Sequence, residues 1–141
     1  MSEKVTGKPL PEISDLTRPF WNAARDGKLV MQRCNNCGTV NFPAKPWCVA
    51  CGSRDIPWTD MKPTGTVYSY TVSRVVAMNY PDWASELPMV LCLVDVDDGA
   101  RLYAQLTDCN PDDVMIGMRV EAHFETISED AGVPKFRPLT S

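Results

Sequence analysis

Cys34-Asn-Asn-Cys37-Gly38 and Cys48-Val-Ala-Cys51-Gly52 decide how this chain is read. Two Cys-x2-Cys pairs lie ten residues apart, each followed directly by a glycine. A two-residue gap lets one tight turn present two thiolates to one ion, and tetrahedral zinc takes four such soft ligands. The glycines supply the left-handed backbone with which a knuckle wraps its amides around the sulfurs. Cys34, Cys37, Cys48 and Cys51 are therefore the expected metal ligands, with structural zinc as the cofactor. Iron in a rubredoxin-type site is the chemical competitor, since four thiolates hold either metal. Disulfide pairing would need an oxidising compartment. The polar opening Met1 to Leu10 has no apolar run of the secretory kind, so a cytoplasmic location is expected. A closed set of four thiolates leaves no coordination position for water or substrate, and the metal is read as structural.

The chain has 141 residues, enough for a small metal module and a barrel. Residues 18–62 are too few to fold on apolar burial alone, which gives the metal a physical role. The expected organisation is an extended arm at 1–17, a helix and four-cysteine ribbon at 18–62, and a barrel at 63–141. Charge is unevenly shared. Residues 18–62 carry seven basic and three acidic side chains, net +4, and residues 63–141 carry five and twelve, net −7. A whole-chain net of −4 argues against general nucleic-acid binding, because phosphate neutralisation supplies most of that affinity. No apolar run approaches the roughly 20 residues of a membrane-spanning helix.

Thr17-Arg18-Pro19-Phe20-Trp21 opens a short helix, with Thr17 as N-cap, Pro19 in the first turn and Gly27 as the C-terminal stop. Leu16, Phe20, Ala23 and Ala24 share one face with Trp21 beside it, placed either on the ribbon and barrel or against another protein. Lys28 to Arg33 reads as a strand entering the first knuckle, Val40 to Trp47 as the loop between knuckles, and Trp47 as a shield for the metal. Trp58 is expected where ribbon and barrel meet.

From Pro63 the pattern turns to β. Thr66 to Val76 and Met89 to Val96 are strands, the second so apolar that it reads as central. Asp98-Gly99 marks a hairpin into Arg101 to Leu106, where Leu102, Ala104 and Leu106 face inward. Asn110 caps a short turn at Pro111, Met118 to Ile127 forms a fourth strand, and Lys135 to Leu139 a fifth. Five strands with a small helix between the third and fourth predict a mainly β chain, a helix and rubredoxin-like ribbon followed by an OB-fold barrel.

Catalytic equipment is thin. His123 is the single histidine and alternation puts it on the polar face; Cys92 lies mid-strand as a core thiol, and Cys109 has no cationic neighbour in sequence. No nucleophile elbow, P-loop or dinucleotide fingerprint is present, and no catalytic residue is assigned. The loop Ala77 to Leu87 carries Met78, Tyr80 and Trp83, more apolar reach than a solvated loop needs. Phe20, Trp21, Tyr80 and Trp83 are the candidate contacts to a partner.

Phe20-Trp21, the Gly27-Lys-Leu-Val-Met-Gln-Arg approach to the first knuckle, Phe42-Pro43, Gly65-Thr-Val-Tyr-Ser69 and Ile116-Gly-Met-Arg-Val120 resemble a zinc-ribbon/OB-fold family of bacteria and archaea. The resemblance runs from about Arg18 to Leu139. It implies a non-catalytic accessory subunit of a thiolase-like acyl-CoA enzyme, with catalysis on the large partner chain and a coenzyme A ester on that partner or at the shared interface. Small subunits of thiolases acting on aromatic-acid CoA esters, benzoylsuccinyl-CoA thiolase among them, and sterol side-chain enzymes are both compatible. The rival readings are an accessory subunit of a MaoC-type hydratase or aldolase, and a module for single-stranded nucleic acid. The last of these predicts aromatics interleaved with Lys and Arg on the barrel face.

Overall fold

The computed structural model describes residues 9–75 and 81–139. Helix α1 (Arg18–Arg25) comes first, followed by β1 (Val30–Arg33), β2 (Val40–Asn41) and β3 (Trp58–Asp60), which form a small sheet in the order β2-β1-β3. The remaining strands are β4 (Thr64–Ser73), β5 (Met89–Val96), β6 (Arg101–Leu106), β7 (Arg119–Thr126) and β8 (Gly132–Pro138). They close a barrel in the order β4-β5-β6-β8-β7, the five-stranded OB arrangement expected from the sequence. A three-residue 3-10 turn, Pro111–Asp113, sits between the third and fourth barrel strands, and the Asn110 side chain accepts from the Asp112 amide at 2.9 Å. Val76, Met78 and Tyr80, which were read as a strand end and loop contacts, lie outside the described residues; Pro81–Glu86 forms a 3-10 helix.

Several local expectations shift. Thr17 makes no side-chain cap on α1. The capping falls one turn earlier: Ser14 N–H donates to Thr17 Oγ1 at 3.1 Å, and Thr17 N–H donates to Ser14 Oγ at 3.2 Å. That reciprocal pair is a capping box in which threonine takes the usual glutamate position. At the other end Gly27 takes φ +78°, letting Lys28 N–H reach Ala23 O at 2.9 Å and Gly27 N–H reach Ala24 O at 3.1 Å. Strand β8 starts at Gly132, three residues before the expected Lys135, because β7 pairs with it as far as Thr126↔Gly132. Strand β5 is not buried on both faces. Val90, Cys92, Val94 and Val96 face the core, and Leu91 and Leu93 are half-buried on the outside, since a barrel wall has one inner face.

One core serves both parts of the chain. Met31 of the small sheet and its flanking residues Leu29 and Met61 pack in the same cluster as Val67, Val94, Val120 and Phe136 of the barrel, with Phe20 of α1. Trp58 packs against that cluster from the edge, at the junction where it was expected. Helix α1 lies so close to β8 that a Cβ on Gly132 would sit 2.6 Å from backbone atoms of Ala24 and Arg25. Near the β5–β6 turn, Asp97 is held by Arg119 Nη1 at 2.7 Å and Nη2 at 2.6 Å, with Thr64 Oγ1 donating at 2.5 Å. Those bonds, Arg119 first and Thr64 second, keep its carboxyl well below the usual carboxylate range.

Two predictions follow from these contacts. Gly132→Ala forces α1 and β8 apart and lowers stability by about 1–3 kcal/mol, read from the urea midpoint; an unchanged midpoint contradicts the close approach. Because the folded Asp97 pKa is depressed, its contribution is present above the ordinary carboxylate value and is lost as the pH falls below it. Asp97→Asn is therefore less stable than the parent near pH 7, and the gap narrows on acidification. Parallel stability curves from pH 7 to pH 2 would contradict that assignment.

Candidate metal centre and aromatic groove

Both knuckles are built on the same bonds. In the first, Cys34 N–H donates to Thr39 O at 2.8 Å and Gly38 N–H to Cys34 O at 2.9 Å. In the second, Cys48 N–H donates to Ser53 O and Gly52 N–H to Cys48 O, both at 2.8 Å. Gly38 and Gly52 hold φ +80° and +78° with open space around them, so the backbone angle, not crowding, asks for glycine there.

The four sulfurs converge. All Sγ atoms lie within 4.8 Å of one another, with Cys34–Cys51 and Cys37–Cys48 at 3.6 Å. A Zn–S bond of about 2.3 Å puts tetrahedral sulfurs about 3.8 Å apart, so the set fits zinc. Cys34 and Cys48 are buried, and Cys37 and Cys51 are exposed. Burial pushes the Cys48 thiol up, but the Cys51 amide, the Asn41 side chain and the Ala50 amide outweigh it and bring the group down to about 6. Cys51 is lowered chiefly by Asn36, whose Nδ2 donates to its sulfur at 3.4 Å, and by the Ser53 amide. The Cys37 amide pulls Cys34 down, yet burial and the neighbouring sulfurs leave it raised. Donors around thiolates are what a negatively charged sulfur cluster requires. Trp47, expected as a shield, is 51% exposed, and Ile56 is the buried residue that packs with Cys34 and Cys48.

Between ribbon and barrel lies a feature the sequence did not announce, an apolar groove of about 240 Å³. Phe20, Trp21, Phe42, Pro43, Trp58 and Tyr103 form much of its lining. Phe20 is buried, with Trp21 edge-on at 5.1 Å and Phe42 tilted at 5.3 Å. This corrects the expectation for Phe20: it faces the core, and the half-buried Trp21 presents surface to the groove. Trp83, also half-buried, lines a second hollow of about 300 Å³ with Leu10, Trp21, Val133 and Lys135. Tyr80 lies outside the described residues. The lining residues are scattered over α1, the inter-knuckle loop, β3, β6 and β8, so no local pattern could have assembled them.

Polar groups beside the groove are paired. Lys135, buried, meets Glu125 closely and Glu86 at 3.7 Å, and Gln105 Nε2 donates to Glu86 at 3.2 Å. His123 is not the freely solvated residue expected: its Nε2 lies 2.6 Å from Thr107 Oγ1 in a part-buried contact. Burial, then the charge of Arg137, lowers its pKa. Burial and the nearby Cys109 push the Cys92 thiol up to about 11, and burial with Asp113 raises Cys109. Neither thiol has the electropositive setting of a nucleophile.

A four-thiolate ribbon fused through one core to an OB barrel defines the class of this protein, and the comparisons give the family. Residues 21–57 match the rubredoxin-like zinc ribbon domain of ChsH2, and residues 58–125 match the ChsH2 C-terminal OB-fold domain. The chain is 40% identical over 119 residues to a DUF35 domain-containing scaffold protein of Methanocaldococcus jannaschii, covering 79% of this chain and 82% of that protein. It is 37% identical over 131 residues to a probable enoyl-CoA hydratase alpha subunit of Thermomonospora curvata, covering 93% of this chain and 40% of that longer one. Among solved structures, a chain of an Ltp2-ChsH2(DUF35) aldolase superposes with a TM-score of 0.80 at 35% identity, covering 92% of this chain and 98% of that one. The chain belongs to the ChsH2/DUF35 zinc-ribbon and OB-fold family.

Elemental analysis should find one zinc per chain in a colourless protein; stoichiometric iron would replace the zinc assignment. Stripping the metal with a chelator should raise amide exchange in β1 by at least about tenfold, because ligation and ribbon folding are one equilibrium. Protons compete for the sulfurs, so zinc is released as the pH falls, which a metallochromic dye reports.

Proposed function

We propose that this chain is a non-catalytic, zinc-stapled accessory subunit of a hetero-oligomeric enzyme acting on acyl-CoA thioesters. Catalysis then belongs to the larger partner chain. The observation that carries the reading is the apolar groove between ribbon and barrel, lined by Trp21, Phe42 and Tyr103. Apolar concavities of this kind on a small protein are docking or ligand surfaces. Relatives named as an enoyl-CoA hydratase alpha subunit and as part of an Ltp2-ChsH2(DUF35) aldolase support an assembly with an acyl-CoA enzyme. A thiolase-like large subunit, degrading an aromatic or other carboxylic acid as its CoA thioester, is the form implied by the sequence resemblance. A hydratase or aldolase partner is the second form, favoured by those relatives' names. In either form the coenzyme A ester lies on the partner or at the shared interface, Trp21 and Trp83 belong to the contact surface, and Cys34, Cys37, Cys48 and Cys51 hold structural zinc.

The nucleic-acid reading loses its main support on the barrel wall. Tyr68 and Tyr103 are exposed there, but Arg101 is stacked 3.3 Å over the Tyr68 ring and paired with Asp95 at 2.7 Å. That cation is already engaged, and residues 63–141 carry net −7. No helix among the described residues is long and apolar enough to cross a membrane.

Purification of the tagged chain from its source organism tests the proposal. The expected result is a stoichiometric complex with an enzyme that turns over a CoA thioester, and loss of that activity's stability when the small subunit is removed. Recovery of a lone zinc protein, or salt-sensitive binding to oligonucleotides, would sink it.

A further inference from the structure

The barrel is closed, yet one of its seams is barely stitched. Strands β6 and β8 run parallel and pair at a single position, Leu106↔Phe136, where Thr107 N–H donates to Phe136 O at 2.7 Å. Backbone groups alternate sides along a strand. With Thr107 turned toward β8, Gln105 and Tyr103 turn their backbone groups to the same side, and Leu102, Ala104 and Leu106 turn theirs to β5. The β5 ladder agrees with this, running unbroken from Asp95↔Arg101 to Val90↔Leu106. On β8, Phe136 faces β6, so two residues earlier Pro134 faces it too. Proline has no N–H to give. The bond that Pro134 would give to Tyr103 O is therefore missing, no register pair follows Leu106↔Phe136 toward Tyr103, and the strands part where Tyr103, Gln105, Val133 and Pro134 line the aromatic groove. Among the described residues, Leu106↔Phe136 is the one register pair between β6 and β8, and neither Tyr103 nor Gln105 is in register with a β8 residue.

We propose that the free β6 edge at Tyr103–Gln105 receives an extended segment of the partner subunit by strand addition. A large apolar side chain of that segment seats among Trp21, Phe42, Pro43 and Trp58. Two independent features select this occupant. An unpaired strand edge offers alternating N–H and C=O groups, which a polypeptide backbone matches. The cavity beside it, about 240 Å³ and walled by aromatic and proline side chains, takes one bulky apolar side chain and not a charged one. Pro134 withholds the N–H that would otherwise close on Tyr103 O. The source of the segment rests on the accessory-subunit reading above.

The test compares the isolated zinc-loaded chain with the purified complex by residue-resolved amide exchange. In the isolated chain, Tyr103 and Gln105 should exchange faster than Leu102 and Ala104, and in the complex they should slow by at least about tenfold. Tyr103→Glu, at an exposed site, and Ala44→Trp, which fills the groove from the ribbon side, should each weaken the complex about tenfold. Zinc content and circular dichroism should remain those of the parent. A complex that forms with an acyl-CoA enzyme but leaves those two amides as fast as in the free chain overturns strand addition and spares the subunit reading. Protection of the same amides by coenzyme A alone also overturns it, since the edge would then serve the amides of a pantetheine arm. Tyr103 and Gln105 already slow in the isolated chain would show that the seam is closed. If no acyl-CoA enzyme accompanies the chain, both readings fall.

Discussion

Everything else depends on how the tip of the β5–β6 hairpin plugs into the ribbon. Gly99 sits at that tip, and a Cβ there would stand 2.9 Å from Met61 Sδ, 3.0 Å from Met31 Sδ and 3.2 Å from Val96 Cγ1. A larger residue there would have to push both methionine side chains aside. Ala100 N–H points at Met31 Sδ at 3.3 Å, Arg33 Nη2 donates to Asp98 O at 2.8 Å, and Lys62 N–H donates to Asp98 Oδ1 at 2.8 Å. Two methionines provide a soft, adaptable socket, and the backbone bonds around it fix direction. The ribbon thereby gains an apolar core that its own three short strands could not supply.

The metal site and this socket divide the work of holding the ribbon. At the far end, Cys34, Cys48 and Ile56 form a separate small cluster, too little to order two knuckles without an ion. At the near end, Met31 and Met61 join the barrel. Between them, the inter-knuckle loop is gripped by one buried side chain: Gln32 Oε1 accepts from Lys45 N–H at 2.7 Å, and Gln32 Nε2 donates to Lys45 O at 3.0 Å. A glutamine used on both its oxygen and its nitrogen satisfies itself and pins the loop at once.

Features whose causes are local were legible in the sequence. The two Cys-x2-Cys-Gly knuckles, the Gly27 stop, the Asn110 cap and the strand Arg101–Leu106 each depend on residues within one turn or hairpin, and each stands where the pattern put it. Asp98-Gly99 was readable as a turn, but its grip on the ribbon was not, since Arg33 lies 65 positions away in sequence. His123 alternates as a polar-face residue should, yet Thr107 on a neighbouring segment engages its ring nitrogen in a part-buried hydrogen bond. The groove was the least legible feature, because it exists between elements and belongs to none of them.

Those separate anchorages explain why a groove in so small a protein can hold its shape. One wall, α1, cannot drift from the barrel while Gly132 lies against its Ala24 backbone. The second wall, Phe42 to Ala44, leads into the Lys45 that Gln32 clamps. The third is β6 itself, tied to β5 through six register pairs. Each wall is fixed by something outside the groove, so the aromatic faces need not collapse on one another to be stable. A surface ordered in advance loses less freedom when a partner lands on it. The ribbon supplies one wall of a recess whose opposite side is made by the barrel.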